Sequence, residues 1–155
     1  MKNNTRDIPF SEYRPRLIAR LRAFLFSQEN SLSRYLLVLE KITQDLREEN
    51  MSRLETHIQM EQALIREITG NRKVLIPLEN LLGEHETGPW PELTPIQTQI
   101  DRIRKEALRK NLENQALLSR RLPVLRDQIS RVKTRPGSGF TGSREADSRY
   151  LNISA

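Results

Sequence analysis

Few of the 155 residues have chemistry to offer. There are two histidines and no cysteine, so disulfides, thiolate metal sites and cysteine nucleophiles are excluded. His57 and Glu61 stand one helical turn apart, but two ligands make a weak metal site and no third residue has suitable spacing. His85, between Glu84 and Glu86, reads as a polar loop residue, and Glu48 with Glu49 reads as a solvated helix end. A phosphate-cradling glycine loop, a nucleophile elbow and a dinucleotide fingerprint are all missing. The expectation is a protein that is not an enzyme and holds no cofactor or metal.

Two other groups carry polarity with a pattern. Asn111 and Asn114 fall three apart within an otherwise apolar helical stripe. An asparagine there either fixes register at some cost in stability, or sits on a stripe that faces water. Arg14, Arg16, Arg20 and Arg22 accompany Leu17, Ile18, Leu21, Phe24 and Leu25. A membrane-surface helix has this look, but the same apolar residues continue a longer packing frame, and packing is the reading adopted.

Composition limits what can position such residues. The chain is 36% hydrophobic, 5% aromatic and 30% charged, which suits a narrow apolar stripe along thin helices better than a walled pocket. Net charge is +6 but uneven: residues 1–35 carry +4, residues 36–100 carry −5 and residues 101–135 carry +7. A basic segment either binds nucleic acid or lies against an acidic one in the same molecule; the second is expected. No stretch has the form of a signal peptide or a transmembrane span, so a cytoplasmic address without stable membrane insertion is expected.

The elements follow from periodicity. Ile18, Leu21, Leu25, Gln28, Leu32, Tyr35, Leu39, Ile42 and Leu46 alternate steps of three and four, the pattern of a coiled-coil face. A helix over about 12–48 is predicted, roughly 55 Å long at 1.5 Å per residue. Ser52 and Glu55 form a capping box for a second helix over 52–82, carrying Leu54, Ile58, Ile65, Ile68 and Leu75, with Glu61 and Arg72 as polar exceptions. The short connection makes these two helices antiparallel. Pro77 is expected to bend the second near Lys73, and Gly83 to end it. Thr94-Pro95 then opens a third helix over 94–133, with Ile96, Ile100, Ile103, Ala107, Leu117, Leu118, Leu122, Leu125, Ile129 and Val132 on one face and a kink at Pro123. The predicted fold is all-α: a long antiparallel hairpin, a long third helix, and a polar tail over 134–155 that is disordered in isolation.

Several stretches together resemble a known family. Asn111-Leu112-Glu113-Asn114-Gln115-Ala116-Leu117-Leu118 is similar to the Asn-x-x-Asn-x-x-Leu-Leu region of FlgN-type flagellar export chaperones. Glu61-Gln62-Ala63-Leu64-Ile65 resembles the second-helix pattern of that family, and Phe140-Thr141-Gly142 with the ending Asn152-Ile153-Ser154 resembles its tail. The resemblance implies a cytoplasmic chaperone that binds the C-terminal helices of hook–filament junction proteins (FlgK and FlgL type). It would keep them unassembled and deliver them to the flagellar export apparatus. It further implies client contacts at Asn111, Asn114, Leu117, Leu118, Leu122, Leu125, Ile129 and Val132, and docking to the export gate through Phe140.

Two other readings stand beside it. One is a structural coiled-coil component of an export apparatus, permanently paired in an oligomer; monomer and homodimer are both left open. The other is a nucleic-acid-binding helix using Arg102, Arg104, Lys105, Arg109, Lys110, Arg120 and Arg121, and the expectation is that no nucleic acid is bound.

Overall fold

The computed structural model describes residues 8–133, apart from the side chains of residues 125, 128, 129, 132 and 133. The expected disordered tail and Phe140 lie outside the described residues. Within them the chain is all-helical, with α1 spanning Phe10–Glu48, α2 Met51–His85 and α3 Thr94–Lys133. Every member of the nine-residue stripe predicted for α1, Gln28 included, is buried. That stripe is wide enough to serve two partners. α1 packs against both other helices, whereas no Cα of α2 comes within 8 Å of one of α3.

The hairpin is antiparallel, as a short connection requires. Asp45 meets His57, Ser31 meets Glu67 at 2.7 Å, and Tyr13 meets His85 at 2.7 Å. The turn holds only two residues. Glu49 is left-handed (φ 58°), and both its N–H and that of Asn50 are directed to the Asp45 carbonyl. Asn50, not Ser52, caps α2: its Oδ1 accepts from the Arg53 N–H at 3.1 Å. With an asparagine at this position the helix starts one residue earlier than the capping-box reading has it.

α2 also outlasts its predicted end, running through Pro77 and Gly83 to His85. Tertiary packing overrides the two weak helix formers. Leu82 is fully buried, and the His85 ring stacks on Phe10 at 4.3 Å. α3 likewise continues as one helix through Pro123. Thr94 does not cap it as expected; its hydroxyl donates to the Trp90 carbonyl at 2.9 Å.

Two core clusters stack along the rod. The first joins Leu17, Leu21, Leu25 and Leu32 to Leu75, Leu82, Leu93, Ile96, Ile100 and Ile103. The second joins Tyr35, Leu39, Ile42 and Leu46 to Leu54, Leu64 and Ala107, with Leu117 and Leu118 packed at its edge. The basic residues near the start of α1 serve this packing. Arg14 donates to both Glu86 carboxylate oxygens at 2.9 and 3.0 Å and to Glu92 at 2.8 Å, while Arg22 donates to the Glu92 carbonyl at 3.1 Å. They fasten the α2–α3 connection onto α1. Glu86 and Glu92 in turn hold the Arg14 guanidinium above its ordinary range.

Candidate functional site

Heptad spacing brings α3 up beside α1 in parallel, and polar side chains set the register. Asn111 Nδ2 donates to the Tyr35 hydroxyl at 2.8 Å. Three residues on, Asn114 Nδ2 donates to the Leu39 carbonyl at 3.1 Å, and its Oδ1 accepts from Thr43 Oγ1 at 2.6 Å. Both asparagines are buried. Of the two readings open for them, register is the one the fold adopts. In this arrangement both amides are buried against α1, so the client contact that the resemblance implies for Asn111 and Asn114 requires α3 to leave the hairpin.

Farther along, Arg47 pairs with Glu113 at 2.6 Å, and Arg121 pairs with Glu49. Glu49 is the first of the two residues of the hairpin turn. α3 continues past it through residues 122–133, about 18 Å of helix at 1.5 Å per residue. Among the described residues none beyond Leu118 belongs to either core cluster. Leu117 and Leu118 are half-buried, whereas Leu122 is 40% and Val124 57% exposed. So of the predicted ridge, Leu117 and Leu118 lie at the hairpin's edge and Leu122 projects beyond it. Leu125, Ile129 and Val132 continue the stripe in the sequence; their side chains lie outside the described residues.

The basic third helix meets acid on the hairpin at Glu49 and near Glu79 and Glu40. Others of its basic residues pair within α3 itself, Arg109 to Glu106 at 2.5 Å and Lys110 to Glu113 at 3.3 Å. The expected internal pairing is thus partial, and Arg102, Lys105 and Arg120 lie on the exposed face.

The sequence names Gln28 and Glu61 only as polar members of apolar faces and His57 only as a weak ligand candidate. Glu61 is 2% exposed, and burial lifts its carboxyl to about 7, a hydrogen bond from Tyr35 opposing the shift. His57 does not pair with Glu61 as a metal site would need; its Nδ1 is turned to Asp45, which Arg53 also approaches at 3.3 Å. Among the described residues, fully buried Gln28 finds no hydrogen-bond partner for either amide atom. It lines a groove of about 340 Å³ where α2 and α3 diverge, with Arg72, Glu79, Gln97 and Arg104 around the groove. Among the described residues no cluster of three or more histidines and carboxylates could hold a metal ion. No described helix is long and apolar enough to cross a membrane.

Comparison with known proteins is sparse. No family model matches the chain, and no solved structure matches it. It is similar to a protein of Treponema pallidum (strain Nichols) described as uncharacterized, 26% identical over 120 residues that cover 77% of each chain. What the fold and site define is a class: an all-α three-helix protein whose last helix outruns the hairpin it packs on.

Proposed function

We propose that this chain is a cytoplasmic chaperone of the flagellar type III export pathway, binding the C-terminal helices of hook–filament junction proteins and delivering them to the export gate. The observation that carries the reading is the overhang of α3. Beyond Arg121 the helix has no hairpin alongside it, yet it keeps apolar residues at Leu122 and Val124 in the open. An amphipathic client helix can cover Leu122, together with the half-buried Leu118 one turn before it, by laying its own apolar face along α3. Each leucine fully buried in this way contributes about 1.5–3 kcal/mol. Such binding needs neither nucleotide nor metal and is reversible. The resemblance of the Asn111–Leu118 and tail segments to FlgN-type chaperones supplies the client class, and Phe140 remains the proposed gate contact.

The test is calorimetric titration of the full chain with the C-terminal fragment of each junction protein. The expected result is binding to at least one fragment, weakened tenfold or more by Leu122→Asp. Absence of binding to any of them, with a stable homo-oligomer in its place, would favour the structural coiled-coil reading. Nucleic-acid affinity that falls steeply with salt would favour the third.

A further inference from the structure

We propose that docking of α3 onto the hairpin is proton-linked through Glu61: the Asn111–Tyr35–Glu61 chain closes with Glu61 neutral, and ionisation of Glu61 loosens α3 between Ala107 and Leu118. The inference concerns the chain alone and stands whether or not a client is bound.

Hydrogen-bond bookkeeping carries it. One residue comes from each helix: Tyr35 from α1, Glu61 from α2 and Asn111 from α3, and all three are at least 95% buried. Asn111 Nδ2 donates to the Tyr35 oxygen, which leaves the single Tyr35 proton for the Glu61 carboxyl. Among the described residues, Glu61 Oε1 and Asn111 Oδ1 are both buried without a hydrogen-bond partner. An ionised Glu61 is therefore a buried charge fed by one donor, in a layer with two acceptors to spare. Protonation removes the charge and adds the donor the layer lacks.

The surrounding charges do not relieve this. Along the three helices the neighbouring ionisable side chains Arg34, His57 and Lys110 are paired with Glu67, Asp45 and Glu113. Burial, the larger effect, and the Tyr35 hydroxyl account for the carboxyl's shift. When α3 leaves, water reaches Glu61 and the carboxyl returns toward 4.5. The docked state thus binds the proton more tightly than the open one, so docking is strongest in acid and weakens as pH rises through about 7. Between pH 5.5 and 8.5 the opening constant rises about 30-fold by linkage. Leu117 and Leu118 lie on the next turn after Asn114, so the same opening uncovers them.

Amide hydrogen exchange on the full chain tests this, with rates corrected for the intrinsic effect of pH. Amides of residues 107–118 are expected to lose protection about 30-fold between pH 5.5 and 8.5, and at each pH to exchange faster than those of residues 94–103, which report the opening of the whole fold. In Glu61→Gln, which keeps the shape and removes the charge, residues 107–118 are expected to stay level. Glu61→Met serves as a second uncharged variant should the glutamine disturb helicity. A flat wild-type profile would overturn the proposal. So would equal protection of the two segments at every pH, which signals that only global unfolding occurs, or the same pH dependence persisting in the uncharged variants.

Discussion

Thr43 on α1 and Asn114 on α3 meet at 2.6 Å inside the protein, hydroxyl to amide oxygen, while the same amide donates to the carbonyl of Leu39 one turn earlier. That triangle fixes α3 along α1 to a single register, because sliding by one turn would strand the buried amide of Asn114, both its oxygen and its nitrogen. Asn114→Ala is expected to destabilise the chain by about 1–3 kcal/mol, measured by urea unfolding. Replacing both partners, Asn114→Leu with Thr43→Val, should recover part of that loss. Equal loss in the double variant would show that packing, not satisfaction of the polar groups, sets the energy here.

A second polar lock holds the hairpin shut. Asp45 is 2% exposed; its carboxylate meets His57 Nδ1 and is approached by Arg53 at 3.3 Å, while its own carbonyl takes the N–H groups of Glu49 and Asn50. Asp45→Ala is expected to cost about 2 kcal/mol or more, since it leaves the His57 ring without its buried partner and opens a space in the hairpin. Asp45→Asn keeps an acceptor and should cost less. Thermal unfolding followed by helicity gives both values; an alanine variant as stable as the parent would mean that the turn is held by its backbone alone.

These locks show where sequence reading reaches its limit. The α1 stripe from Ile18 to Leu46 is legible because a period of three and four admits few other folds, and it placed Gln28 and Tyr35 correctly. Asn111 and Asn114 were visible as polar interruptions, but nothing local says whether an interruption faces water or a partner. The answer lies in Tyr35, Leu39 and Thr43, more than 70 residues away. Glu61 was legible only as an exception to a heptad. Its burial, and the Tyr35 hydroxyl that meets it, are set by packing against another helix. The end of α2 escaped for a similar reason: Gly83 and Pro77 are local signals, and the Leu82 and His85 contacts that outweigh them are not.

Glu61 gives the stability of the whole chain a pH dependence whose sign is fixed. Its folded carboxyl is raised from 4.5 to about 7 by burial, so the stabilisation is complete below about 4.5 and is lost as pH rises through 7. Urea unfolding at pH 5.5 and 8.5 should differ by about 2 kcal/mol from this group, the lower pH being more stable. In Glu61→Gln that difference should vanish. A wild-type chain more stable at pH 8.5 would contradict the burial of this carboxyl.

The turn itself can be improved. Glu49 adopts φ 58°, a left-handed conformation that costs a residue with a Cβ about 1–2 kcal/mol. Glycine removes that cost, though it enlarges the freedom of the unfolded chain and gives up the exposed pair with Arg121. The net expectation for Glu49→Gly is a gain of about 0.5 kcal/mol, roughly 2 °C in Tm by calorimetry. A loss in Tm would assign the Arg121 pair a larger share than exposed ion pairs usually have.

Leu118 and Leu122 are one turn apart on α3 and should respond oppositely to the same change. Leu118 is half-buried at the edge of the second core cluster, whereas Leu122 is 40% exposed beyond the end of the hairpin. An aspartate at 118 puts a charge where α3 meets the core, so Leu118→Asp should destabilise the fold by about 2 kcal/mol or more. At 122 the new carboxylate meets water, and stability should stay within about 0.5 kcal/mol of the parent. Urea midpoints of the two variants test the contrast directly. If Leu122→Asp unfolds the chain as readily as Leu118→Asp, residue 122 is covered by the protein's own fold, and the overhang on which client binding is proposed does not exist.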